Sequence, residues 1–131
     1  ERDTGNGNGC EFPWGSGFDL MDPLARGGLK LQDKAAPVGS FPPNENGLYD
    51  MAGNVWEWVS DWFSIRFYYA DILHNPRGPT QGVMKVRRGG SWSDSVKAMA
   101  SGYRDWSYPL SRGFNDIGFR CSVNLKKPGG K

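Results

Sequence analysis

Residues 47–62, GLYDMAGNVWEWVSDW, leave this chain few ways to fold. They set Trp56, Trp58 and Trp62, half of the six tryptophans, beside three carboxylates, Asp50, Glu57 and Asp61. Large aromatics gain most from burial, whereas carboxylates enter an interior only with a counter-charge or a metal. The order Val-Trp-Glu-Trp-Val over residues 55–59 is β-branched and aromatic, as a strand prefers. Alternation along that strand puts Val55, Glu57 and Val59 on one face and Trp56 and Trp58 on the other. Glu57 then stands among apolar neighbours and must hold a cation or an arginine. Gly53 and Asn54 form a turn pair that lets the backbone curl between Asp50 and the strand.

Elsewhere the chain reads as short elements joined by tight turns. Its 131 residues suit one domain with a modest core, and 19 glycines and nine prolines punctuate it throughout. A 14% aromatic content argues against disorder even though mean hydropathy is only -0.62. The net charge of +2 comes from scattered basic residues with no stripe, so nucleic-acid binding is not expected. No apolar run reaches the length of a membrane span. No leader peptide stands in these residues, and a periplasmic or secreted location is expected with any leader lying upstream. Cys10 and Cys121 lie far apart with no CxxC spacing, and either bridge a long loop or remain separate thiols.

Taken in order, residues 1–9 are a polar, glycine-rich lead-in, residues 10–125 a partial domain, and residues 126–131 a basic tail. Phe12, Pro13, Trp14 and Gly15 make an apolar anchor and a turn. Residues 37–44 (PVGSFPPN) are extended and proline-braced. The aromatic cluster Phe63, Phe67, Tyr68 and Tyr69 is helical or extended and is read as core. Residues 75–79 (NPRGP) are a rigid loop. Residues 83–86 lead into RRGGSW, which reads as a strand ending in a glycine kink. Residues 118–123 (GFRCSV) read as a final strand. The sum is an α+β fold, β-rich and irregular.

GLYDMAGNVWEW, with FPPN at 41–44, RGGSW at 88–92 and GFR at 118–120, resembles the formylglycine-generating enzyme (sulfatase-modifying factor) family. The resemblance runs from Phe12 onward and matches the C-terminal portion of the family domain. It implies a variant of the C-type lectin fold. It also implies a calcium site: Asp50, the carbonyls of Gly53 and Val55, and Glu57 match the family's second calcium site position by position. Such a set suits calcium, which takes about six to eight oxygens from carboxylates and carbonyls. The alternative is an acidic pair satisfied by Arg88, Arg120 or backbone amides. Asp19, Asp22 and Asp33 do not align with the family's first calcium site.

The family's catalytic copper is held by two cysteines between the GGS and GFR motifs. Here that segment, residues 93–103 (SDSVKAMASGY), contains no cysteine, and the thioether of Met99 does not replace two thiolates. Copper is therefore not expected. Iron-dependent relatives need a histidine cluster, and this chain has a single histidine, His74, so iron is not expected either. Ser91 has no recognisable base and reads as structural, and Arg88, Gly89 and Gly90 do not make a phosphate loop.

What remains is binding. Trp92, Tyr103, Arg104, Trp106, Tyr108 and Arg112 fall where the family forms its substrate groove, and aromatics with arginines carry recognition hot spots. Trp92 reads as core within that group, and Arg120 as a buried partner for a carboxylate. The chain is therefore read as a calcium-stabilised module for a protein or small-molecule ligand, without the catalytic cysteine pair. One rival is a cysteine-independent oxidative enzyme of the same family, as in siderophore maturation, with Asp94 or Asp105 acting in the groove. The other is a structural component of a surface or secretion assembly. A short aromatic-rich domain of this kind is expected to self-associate or to pair with a chain supplying the N-terminal half.

Overall fold

The computed structural model describes residues 12–13, 34–44, 46–69, 78–110 and 113–123. Strand β1 spans Trp56–Trp62, and the Val-Trp-Glu-Trp-Val run lies at its start. It is an inner strand of a four-stranded sheet ordered β3-β2-β1-β4, where β2 is Lys85–Arg88, β3 Asp105–Ser107 and β4 Ile117–Gly118. β1 runs antiparallel to β2, with Glu57 opposite Arg88 and Trp58 opposite Arg87, and the register shifts between Trp58 and Trp62. β2 runs antiparallel to β3, and β4 lies parallel to β1 with Ile117 opposite Trp56.

Partners directly opposite across a sheet share a face. Arg87 accordingly lies over the Trp56 ring, 4.7 Å from its centroid. Trp56 is 1% exposed, and its ring is 6.1 Å from that of Tyr103. Val86 on β2 is fully buried, and Phe12, Ala52, Ala98 and Met99 complete the buried apolar set among the described residues.

The turn before β1 is built on left-handed backbone at Asp50 (φ 53°), Gly53 (φ 80°) and Asn54 (φ 64°). Asparagine tolerates this region better than most side chains. Asn54 then serves as a joint: its side chain exchanges hydrogen bonds with both backbone groups of Ala36, and its carbonyl accepts from Trp92 N–H. After β2 the chain kinks at Gly89 and Gly90 (φ 94° and 72°), as the glycine pair predicts. The aromatic run after β1 becomes a 3-10 helix, Ile65–Tyr69.

The last strand is shorter than the sequence suggests. β4 is only Ile117–Gly118, and residues 119–123 have no regular structure. Instead of ladder bonds, the Arg120 side chain ties this segment down, reaching Glu57 and the carbonyls of Tyr49 and Asp50. The lead-in, the tail, Cys10, Trp14, Asp19, Asp22, Asp33, His74 and most of the 75–79 loop lie outside the described residues. Cys121 is an exposed free thiol. No helix among the described residues is long and apolar enough to cross a membrane.

Candidate functional site

A partly buried polar knot joins the start of β1 to the loop after β2. Ser91 is fully buried, and its hydroxyl donates to Asp94 Oδ2. The same carboxylate oxygen accepts from Trp56 Nε1 at 2.8 Å and from the Ser91 N–H at 3.2 Å. Ser93 Oγ lies 3.0 Å from Ser91 Oγ, and Asp116 Oδ2 lies 3.5 Å away on another side. Ser91 is thus structural, as expected, but through a carboxylate and not only through backbone groups. Asp94, named as a groove acid, has one oxygen committed to three donors. Asp116 is a member of the knot that the sequence reading did not name, its one signal being its place two residues before the GFR motif; its carbonyl also accepts from Trp56 N–H.

Behind the knot, the 3-10 helix Val96–Met99 brings Met99 into full burial against Gly90. Around it the arginines are paired. Arg87 donates twice to Asp105 Oδ2, and Arg104 donates to Asp61 at 2.8 Å. Arg88 reaches the carbonyls of Ser101 and Tyr103. Asp105 is therefore an arginine partner rather than an open groove acid.

The remaining candidates separate into two places. Tyr103, Trp106 and Tyr108 are 41–50% exposed. Trp106 bridges the ring of Phe63 at 5.9 Å and that of Tyr108 at 6.2 Å, so an aromatic strip follows β3. Trp92 is half-buried beside Asn54, and its Nε1 is buried with no partner among the described residues. Arg112 lies outside the described residues.

The acidic turn is a second cluster. Arg120 grips Glu57 with two hydrogen bonds, Nε to Oε2 at 2.7 Å and Nη2 to Oε1 at 2.6 Å. Arg120 is the carboxylate partner expected of it, but its side chain is 38% exposed, not buried. Asp50 Oδ2 accepts from Gly39 N–H, while Oδ1 is buried without a partner among the described residues. A buried bare carboxylate oxygen suits a cation. The Glu57 half of the calcium set does not fit as it stands, because a guanidinium already holds both oxygens. Among the described residues no three His, Cys, Asp or Glu side chains are gathered to hold a metal.

With this geometry in place, the likeness to known proteins is specific. The model of the sulfatase-modifying factor enzyme 1-like domain matches residues 4–125. The chain belongs to the sulfatase-modifying factor family. It is 35% identical to the formylglycine-generating enzyme of Mus musculus over 86% of this chain and 34% of that protein. It is 34% identical to the inactive C-alpha-formylglycine-generating enzyme 2 of the same organism, over 92% of this chain and 39% of that one. Among solved structures, Treponema denticola variable protein 1 superposes with a TM-score of 0.64 at 34% identity, covering 88% of this chain and 41% of its own. PvdO from Pseudomonas aeruginosa gives 0.64 at 32% identity, covering 83% and 43%. The sulfatase-modifying factor fold is thus shared, and the chain spans little more than a third of these curated relatives.

Proposed function

We propose that this chain is a ligand-binding sulfatase-modifying factor domain that performs no copper-thiolate chemistry, with Trp106 and Tyr108 at the centre of its contact surface. The observation that carries the reading is the exposed aromatic strip in which Trp106 contacts the rings of Phe63 and Tyr108, while the arginines of the sheet are already neutralised by Asp61 and Asp105. A surface of this kind favours an uncharged ring or an apolar side chain over an anion. The cysteine-free segment 93–103 supports the absence of thiolate chemistry, since it holds no cysteine where the resemblance expects two. The similarity to an inactive paralogue is in keeping with it.

The test is a peptide carrying a sulfatase-type cysteine motif, offered with copper. Aldehyde formation should stay at the level of a no-protein control, while tryptophan fluorescence reports binding that Trp106→Ala weakens at least about tenfold, the scale of one aromatic hot spot. Aldehyde above the control would overturn the reading.

A second reading, a cysteine-independent enzyme of the same family, is favoured by one feature. Ser91 Oγ, itself buried, stands between the half-buried carboxylates of Asp94 and Asp116. Turnover of any substrate that Asp116→Asn abolishes while binding persists would favour this reading.

A further inference from the structure

The loop over residues 44–48 closes on one side chain. Asn44 Oδ1 accepts from Asn46 N–H and from Leu48 N–H, each at 3.0 Å, as asparagine does in a turn. The Asn44 backbone joins in: its carbonyl accepts from Gly47 N–H and its N–H donates to the Leu48 carbonyl, both at 2.9 Å. Gly47 sits in left-handed backbone (φ 74°) with open space where a Cβ would be, and both it and Asn46 are exposed. An Asn-Gly pair in such a loop carries its own chemistry. Once hydroxide removes its proton, the Gly47 amide nitrogen attacks the side-chain carbonyl carbon of Asn46. A new N–C bond forms, the bond to the side-chain nitrogen breaks, and ammonia leaves. Water then opens the five-membered imide at either carbonyl, giving aspartate or isoaspartate. Glycine presents no Cβ to obstruct the approach.

We infer that Asn46 is a spontaneous deamidation site, and that the Asn44 turn sets its rate. The attacking nitrogen is the one whose proton the Asn44 carbonyl holds, and the peptide units on either side are pinned through Asn44 Oδ1. Ring closure requires that proton to leave and the 46–47 peptide plane to swing toward the side chain, so it proceeds from the locally opened loop. The step is one-way. An isoaspartyl link lengthens the main chain by one carbon and misplaces the N–H groups that Asn44 gathers, and either product adds a negative charge. The change lies at the start of the segment whose Tyr49 and Asp50 carbonyls receive Arg120. Asn54 is the opposite case. It is buried, its amide is engaged with Ala36, and the β-branched Val55 follows, so it should stay intact under the same conditions.

Peptide mapping by mass spectrometry after incubation at mildly alkaline pH, with isoaspartyl methyltransferase labelling, reads the product at Asn46. It separates that product from any formed at the Asn-Gly pairs 6–7 and 8–9. The chain denatured in guanidinium chloride should react at Asn46 at least about tenfold faster than the folded chain, the scale of two hydrogen bonds lost on opening. Asn44→Ala, with folding checked by tryptophan fluorescence, should recover most of that difference. Asn44→Asp keeps an acceptor oxygen and should stay within about threefold of the folded parent. Absence of product at Asn46 in the denatured chain overturns the inference, as do equal rates in the folded and denatured chains. So does a folded Asn44→Ala protein that reacts no faster than the parent, or an Asn44→Asp protein that reacts as fast as the denatured chain. Where Asn44→Ala fails to fold, the parent's two states and Asn44→Asp decide.

Discussion

At the scale of single residues, Asp94 ties the start of β1 to the loop after β2. Its Oδ2 accepts from Trp56 Nε1 and from both the hydroxyl and the N–H of Ser91, joining β1 to the loop after β2. Trp56 and Ser91 are almost completely buried, so donors deprived of this acceptor have little access to water. Each buried donor left unpaired costs about 1–3 kcal/mol. Asp94→Ala is therefore expected to destabilise the chain by about 2–4 kcal/mol, with Asp94→Asn losing only about 1 kcal/mol because an amide oxygen can still accept. Urea unfolding followed by tryptophan fluorescence measures both. Equal losses for the two variants would mean that the carboxylate is not the acceptor that matters.

At the scale of elements, the kink after β2 decides whether the Val96–Met99 helix can pack. A Cβ at Gly90 would stand 3.1 Å from Met99 Cγ and 3.2 Å from the backbone carbon and oxygen of Ala98, and the residue has a φ of 72°. Backbone neighbours cannot swing aside as a side-chain tip can. Gly90→Ala is expected to cost about 1–3 kcal/mol or more, from left-handed strain together with the displaced helix. Gly102, which has open space where its Cβ would be, provides the control, and Gly102→Ala should stay within about 0.5 kcal/mol of the parent. Matching urea midpoints for the two alanine variants would contradict this account of the kink.

At the scale of the whole molecule, the sheet is bound sideways by arginine–carboxylate pairs, while apolar side chains remain in solvent. Arg87–Asp105 joins β2 to β3, Arg104–Asp61 joins the approach to β3 with β1, and Arg120–Glu57 joins the end of β4 to β1. These pairs are partly exposed and add little net stability, about 0–1 kcal/mol each. Val38, Leu110, Phe119 and Val123 are 76–92% exposed, and β3 and β4 stand at the sheet edges. Exposed apolar area beside strand edges that have no further strand among the described residues favours association. We propose that the chain self-associates. Light scattering after size exclusion should give a mass above one chain, falling on dilution. A single species at one chain mass that binds no hydrophobic dye would count against it.

The sequence by itself determined the features that depend on local chemistry. The strand at the Val-Trp-Glu-Trp-Val run follows from its residue types, the left-handed turn from Gly53 and Asn54, and the kink from Gly89 and Gly90. Glu57's need for a positive partner followed from alternation alone. Which partner it takes was left between calcium, Arg88, Arg120 and backbone amides, because that depends on which distant segment folds back over the turn. Tertiary structure brought Arg120 there across 63 residues of chain. Register decided in the same way which acids stay open: Asp105 lies opposite Arg87, and Asp94 beneath Trp56, so both are engaged by neighbours that the linear order does not show. Asp116 joined the knot because β4 lies parallel to β1. A long-range pairing has no local signature, and polar side chains find their partners only after the strands have chosen theirs.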